Sequence, residues 1–185
     1  MEIVVGISGA SGSILAIKLL ENLSKTKTAE IRAIVSKDAE NIMKYETGYG
    51  VEYVRDLVDR LYPNDDLSAD IASGTHKFDA MVIVPCSLST VAKIACGIAD
   101  NLITRTAAVA LKERRKLILV PRETPLSTIA LKRLYELSSA GAIILPPMPA
   151  FYLKQSTLEE VAEYIAGKIL DQLGIEHRLY RPYAP

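Results

Sequence analysis

The chain of 185 residues is poor in the residue types that announce a site by themselves: it has no tryptophan, two phenylalanines, two cysteines and two histidines. Cys86 and Cys96 show neither metal-ligand spacing nor a secretory setting, so both are expected as reduced, buried thiols and not as a disulfide or zinc framework. His76 and His177 stand alone and are expected as surface or hydrogen-bonded polar residues. Without an indole, the best aromatic face for holding a cation is missing. Net charge is missing too. The 22 Lys and Arg balance 22 Asp and Glu, so no overall field recruits nucleic acid or an anionic membrane, and partners must be recognised locally. No apolar run approaches the roughly 20 residues of a membrane span, and no basic n-region or cleavage site opens the chain, so a cytoplasmic protein is expected.

What the chain does have is a glycine-rich turn, Gly6 to Gly12, directly after the apolar run Ile3-Val4-Val5 and ahead of a helical pattern. A strand that empties into such a turn and then a helix aims backbone N–H groups and a positive helix end at one spot, which suits a phosphate. The turn is neither of the two common nucleotide signatures. Ser8 breaks the G-x-G-x-x-G dinucleotide pattern, and no lysine follows Gly12 as a P-loop requires. A tight turn without a ligand is the plain alternative, weakened by the position: the first turn of an open α/β sheet is where ligands gather.

Glu30 to Val35 reads as a second buried strand, ending at Ser36 where a dinucleotide site places an acidic residue about 20 positions beyond the glycines. A short hydroxyl there suits a mononucleotide such as FMN better than NAD, although Asp38 is close by. Lys37 to Thr47 continues as a helix carrying Glu46, followed by a punctuated stretch with a short helix around Val54 to Leu61 and a solvated loop over Asp65 to Asp70. Met81 to Pro85 is a strand with Ser87, Ser89 and Thr90 at its carboxyl end, where helix capping and ligand contact can coexist. Lys116 to Val120 is another strand, closed by Arg122 and Glu123 as a neighbouring ion pair. Helices are expected over Asn101 to Arg115 and Leu126 to Ala140, and a strand over Ala142 to Leu145. A stiff proline-rich connector then leads to Phe151 and Tyr152. The last helix begins at a Ser156/Thr157 cap answered by Glu159 and Glu160, and Gly174 ends it.

Strands and helices alternating without repeat or linker predict one α/β domain over residues 1–185. Its fold is Rossmann-like (flavodoxin-like), a doubly wound, mostly parallel sheet with helices on both faces. The Arg-, Tyr- and Pro-rich tail, 175–185, has no core of its own and is expected to pack on a neighbouring subunit.

Gly6 to Gly12, Val84 to Ser87, Gly97 to Thr106, Ala110 to Arg115, Leu119 to Pro125 and Ala142 to Tyr152, taken together and in this order, resemble the UbiX family of flavin prenyltransferases. The resemblance implies a metal-independent enzyme and a homo-oligomer, usually dodecameric, with FMN between subunits. It further implies transfer of a dimethylallyl group from dimethylallyl monophosphate to N5 and C6 of reduced FMN. The product, prenylated FMN, serves partner decarboxylases of the UbiD type. Carried over position by position, Gly9, Ala10, Ser11, Ser36, Ser87, Ser89, Thr90 and Arg122 bind FMN. Lys112, Arg122, Tyr152 and Lys168 surround the donor phosphate, some of them across a subunit boundary. Ser11, Glu46 and Glu123 lie near the reacting ring, with Glu123 the proton donor to the leaving phosphate, and Asn101 and Arg105 give support from behind.

These types suit the chemistry. An allylic phosphate leaves as an anion while positive charge grows on the hydrocarbon, so fixed cations and hydroxyls must surround the phosphate oxygens. The chain departs from some relatives in offering Leu67 where an aromatic residue is common, which leaves Tyr180, Tyr183 or the flavin to face the allyl cation. Two alternatives explain part of the pattern: an FMN-dependent cysteine-type decarboxylase, with His76 near the flavin, and a non-catalytic flavin carrier. The carrier leaves the second set of cations without a purpose.

Overall fold

The computed structural model describes residues 1–26 and 28–184. In chain order the elements are β1 (Glu2–Ile7), α1 (Ser13–Lys25), β2 (Glu30–Val35), α2 (Lys37–Thr47), α3 (Val51–Leu57), β3 (Arg60–Pro63), β4 (Ala80–Cys86), α4 (Leu88–Ala95), α5 (Leu102–Lys112), β5 (Lys116–Pro121), α6 (Thr128–Ser139), β6 (Ile143–Ile144) and α7 (Leu158–Leu173), with single 3-10 turns at Asp70–Ala72 and Phe151–Leu153. The strands form one sheet in the order β3-β2-β1-β4-β5-β6. Every pairing is parallel.

The central strands are apolar along their whole length because both faces are covered. Ile3, Val5 and Ile7 pack into a core with Leu15, Leu19 and Leu20 of α1 and Ile165, Ile169 and Leu173 of α7. Val4, pointing the other way, joins Leu102, Ile103 and Val109 of α5 and Leu134 of α6. The chain leaves β1 toward β2 and β3, then returns to β4 on the other side of β1. That reversal opens a crevice at the carboxyl ends of β1 and β4. Among the described residues, no helix is long and apolar enough to cross a membrane.

The opposite edge, where the strands begin, is closed by ions. Arg32, 9% exposed, meets Glu2 at 2.9 Å, Glu30 at 2.9 Å and Asp70 at 2.8 Å. It also donates to the Tyr62 hydroxyl at 2.6 Å. A buried guanidinium is tolerable only with such company. Burial alone would raise the Asp70 carboxyl, but the Tyr62 hydroxyl, the Ile71 N–H and Arg32 outweigh it and hold it at about 2. Burial and the Asp70 hydrogen bond push the Tyr62 phenol up to about 12.

Three sequence expectations are corrected. The short helix stops at Leu57, where Val58 is already extended, and Arg60–Pro63 is the strand β3. It is four residues long, Arg60 and Pro63 are exposed and only Tyr62 is fully buried, so no apolar run marks it. Asp70 is not part of a solvated loop but the partner of Arg32 and Tyr62. Cys86 is buried, and desolvation pushes its thiol far up, whereas Cys96 at the end of α4 is exposed.

In the tail, a Cβ on Gly167 would come within 2.8 Å of both the His177 and Tyr180 rings, so this stretch docks on α7 of its own chain where a side chain is missing.

Candidate active site

The turn after β1 is built for closeness. Gly12, at φ 105°, holds the left-handed conformation that L side chains resist. At Gly9 a Cβ would sit 2.7 Å from the Cβ of Asp38 at the start of α2, so the first two helix entries can touch only through a glycine. Ser8 is buried and ties the turn to the next strand: its hydroxyl donates to the Pro85 carbonyl at 3.0 Å and accepts the Ser87 N–H at 2.8 Å. This clamp, not a ligand contact, is what Ser8 does, and nothing in the local sequence announces it.

The N-terminus of α1 is not an open phosphate site. The Glu46 carboxylate, reaching back from α2, accepts the Gly12 N–H at 3.0 Å and the Ser13 N–H at 2.9 Å. Burial works to raise this carboxyl, but the Ser11 hydroxyl and the Ser13 and Gly12 N–H groups outweigh it and lower its pKa. An ionised carboxylate therefore stands at the floor of the crevice. The expectation that this helix end receives a phosphate is overturned, because its donors already have an internal anion.

The free helix ends lie beside it. Ser36 caps α2 by accepting the Ala39 N–H at 3.2 Å. Ser87 caps α4 by accepting the Thr90 N–H at 3.2 Å and meets the Thr90 hydroxyl at 3.0 Å. Ser89 lies exposed in the first turn of α4. From the end of β5, Arg122 donates through Nε to the Ser11 carbonyl at 3.2 Å, which leaves its terminal nitrogens for other acceptors. Glu123 accepts the Thr124 N–H at 3.0 Å and does not pair with Arg122, so the expected ion pair of neighbours is absent among the described residues.

One cavity of about 550 Å³ brings Gly9, Ala10, Ser11, Glu46, Ser87, Arg122 and Glu123 together, while Ser36, Ser89 and Thr90 do not line it. Its remaining wall is Leu88 of α4 and Asn41, Ile42 and Tyr45 of α2, which sequence reasoning missed. The one signal there is Tyr45, a large ring left 93% exposed on a polar helix face. A second cavity of about 620 Å³ shares Ser11, Glu46 and Arg122 and continues between α1 and α7 over Ile14, Leu15, Leu158 and Val161. A phosphorylated flavin fits this donor set. α4 brings its Ser87-capped N-terminus to the cavity, α2 lines it with the residues from Asn41 to Glu46, and one guanidinium with unused N–H groups faces them.

The other cations stand elsewhere. Lys112 ends α5 just before β5 begins, pairs with Glu113 and approaches Gly74, at the sheet edge opposite the crevice. Lys168 lies in the half of α7 whose Gln172 carbonyl is reached by Lys116 at the start of β5, and it pairs with Asp171 at 3.0 Å. Tyr152 packs edge-on against Tyr183, with ring centroids 5.2 Å apart. Within one protomer, none of the three lines the cavity that holds Arg122. Asn101 caps α5 in a reciprocal box with Thr104, and Asn64 holds the adjacent Ile103 N–H at 3.0 Å. Arg105 donates to the Ala72 carbonyl at 3.1 Å.

The family model described as Flavoprotein matches residues 1–170. A flavin prenyltransferase UbiX from Thermoplasma acidophilum is 49% identical over 98% of this chain and 99% of its own length. Among solved structures, a dodecameric FMN-dependent UbiX-like decarboxylase from Escherichia coli O157:H7 superposes with a TM-score of 0.98 at 40% identity, covering 100% of both chains. AnUbiX, solved in complex with FMN and dimethylallyl pyrophosphate, gives a TM-score of 0.96 at 42% identity over 100% of this chain and 97% of its own. Fold, crevice and full-length similarity agree: the chain belongs to the Flavoprotein family and, within it, to the UbiX flavin prenyltransferases.

Proposed function

We propose that this chain transfers a dimethylallyl group from dimethylallyl monophosphate to N5 and C6 of reduced FMN, yielding the prenylated FMN used by UbiD-type decarboxylases. The observation that carries the reading is the single cavity in which Gly9, Ala10, Ser11, Ser87, Arg122, Glu46 and Glu123 converge. The capped ends of α2 and α4, with Ser36, Ser87, Ser89 and Thr90, hold the flavin phosphate, and Gly9, Ala10, Ser11 and Arg122 line the rest of the cofactor. Reduced FMN supplies the nucleophilic nitrogen and carbon.

The remaining work belongs to the side chains. Glu46, kept ionised by its N–H partners, sets negative charge beside the place where the allyl fragment becomes positive. The bond between the allyl carbon and the phosphate oxygen breaks with both electrons going to oxygen, and Glu123 supplies the proton that makes a monophosphate an acceptable leaving group. Lys112, Tyr152 and Lys168, with Arg122, hold the phosphate oxygens. Because Lys112 and Lys168 lie at the far edge of their own sheet, they serve the crevice of an adjoining copy, and the active form is a homo-oligomer.

Anaerobic incubation with reduced FMN and dimethylallyl monophosphate is expected to yield a flavin heavier by one prenyl unit; an unchanged flavin mass overturns the reading. Shared sites have their own test. Arg122→Ala and Lys168→Ala proteins, each slowed at subsaturating donor, regain activity when co-assembled, and a mixture no faster than its parents refutes the subunit-spanning site. The cysteine-type decarboxylase alternative loses its histidine, since His76 sits at the opposite edge with its Nε2 2.7 Å from Glu2.

A further inference from the structure

The segment after α7 runs back along that helix and meets two side chains with which the sequence resemblance surrounds the donor phosphate. Tyr180 lies on Lys168, its hydroxyl 3.3 Å from the ammonium and its ring centroid 5.6 Å away. Three residues further on, Tyr183 packs edge-on against Tyr152. We infer that this C-terminal segment is a positioning strap: Tyr180, with Asp171, fixes the Lys168 ammonium, and Tyr183 fixes the Tyr152 phenol, in the orientation that receives the donor phosphate. The inference rests on the proposed role of Lys168 and Tyr152 as phosphate ligands.

The strap is anchored more firmly than a loose tail requires. Gly167 opens the space into which His177 and Tyr180 fit. Tyr180 also meets Tyr164 edge-on at 5.0 Å. Asp171 gathers three donors: Lys168 at 3.0 Å, the Tyr180 hydroxyl, and His177 Nε2 at 3.0 Å. The Leu179 N–H donates to His177 Nδ1 at 3.2 Å, which assigns the ring proton to Nε2 and makes that nitrogen the donor to Asp171. The hydrogen bond to Asp171 raises the Lys168 pKa, so the side chain remains a cation. An ammonium has three N–H donors, and with Asp171 and Tyr180 taking two, one is left for a phosphate oxygen. A lysine on a four-carbon stem gives up rotamer freedom when it binds an anion; one already pinned gives up less, and the saving appears as donor affinity.

The test is steady-state prenyl transfer by the full-length oligomer at saturating reduced FMN with varied dimethylallyl monophosphate. Tyr180→Phe keeps the ring that fills the space over Gly167 and removes only the hydroxyl, so the fold is retained. It is expected to raise KM for the donor about fivefold, with kcat within about twofold and flavin binding unchanged. Tyr183→Leu is expected to do the same. Added to Lys168→Ala, Tyr180→Phe should change nothing further, and Tyr183→Leu should add nothing to Tyr152→Phe. A raised KM in Lys168→Ala with an unmoved KM in Tyr180→Phe and Tyr183→Leu overturns the strap while leaving the donor site standing. Additive effects in the paired variants overturn it as well. If Lys168→Ala and Tyr152→Phe themselves leave donor KM unmoved, the phosphate-ligand reading fails, and the strap fails with it.

Discussion

Replacing Glu46 with Gln isolates the charge that closes the N-terminus of α1. The carboxylate accepts two backbone N–H groups, at 3.0 Å and 2.9 Å. Hydrogen bonds to an ionised acceptor contribute about 1.5–3 kcal/mol, and a charge at a helix end about 0.3–1 kcal/mol. Glutamine keeps one carbonyl acceptor, and the crevice admits solvent that screens the charge, so the expected loss is about 1 kcal/mol at neutral pH. For a chain of this size that lowers Tm by about 2–4 °C, read at fixed protein concentration because assembly also shifts melting. The sign of the pH dependence follows from the direction of the shift. The folded carboxyl titrates below its ordinary value of 4.5, so its contribution is complete above that value and is lost as pH falls through the folded one. The gap between wild type and variant should therefore stay constant from about pH 8 to about pH 5 and close in more acidic buffer. A gap of the same size in strong acid, or none at neutral pH, refutes the assignment of Glu46 as the helix-closing anion.

Gly9→Ala places a Cβ 2.7 Å from Asp38 Cβ, and the two helix entries must separate; titration of flavin fluorescence should show FMN affinity reduced by about tenfold or more. Ser8→Ala takes the acceptor from the Ser87 N–H, while the Pro85 carbonyl keeps the Ser8 N–H at 3.3 Å, at a cost of about 1–3 kcal/mol in denaturant unfolding. Asp70→Asn removes a carboxyl held at about 2 against an ordinary 3.8. The variant should be less stable than wild type by about 1–2 kcal/mol at neutral pH, with the gap vanishing as acid protonates the wild-type carboxyl. Glu123→Gln should leave FMN bound and slow prenyl transfer by about a hundredfold in single-turnover measurement.

The sheet was legible because β1, β4 and β5 are buried on both faces and so read as unbroken apolar runs. β3 was not, since it is four residues long and only Tyr62 is fully buried, with Leu61 half-buried against the other core. The hydroxyls Ser36 and Ser87 could be found as residues that follow buried strands and cap the next helix, a purely local pattern. Glu46 and Ser8 act on groups 33 and 77 positions away, and no local pattern carries such a contact. The placement of Lys112 was in the sequence all along. A residue four positions ahead of a strand that runs toward the crevice must start from the far edge.

The outermost strands, β3 and β6, are four and two residues long. Each offers only a few unpaired backbone groups to another chain, too short a template for one sheet to extend another. A copy that docks on this chain must then do so through side chains, and Ile129, Tyr135, Phe151 and Leu158 are bare enough to serve, at 73%, 72%, 87% and 77% exposure. Contacts of that kind close into a finite assembly when their rotation closes, whereas edge-to-edge growth has no natural stopping point. Short outer strands thus remove sheet extension as a route to fibrous growth.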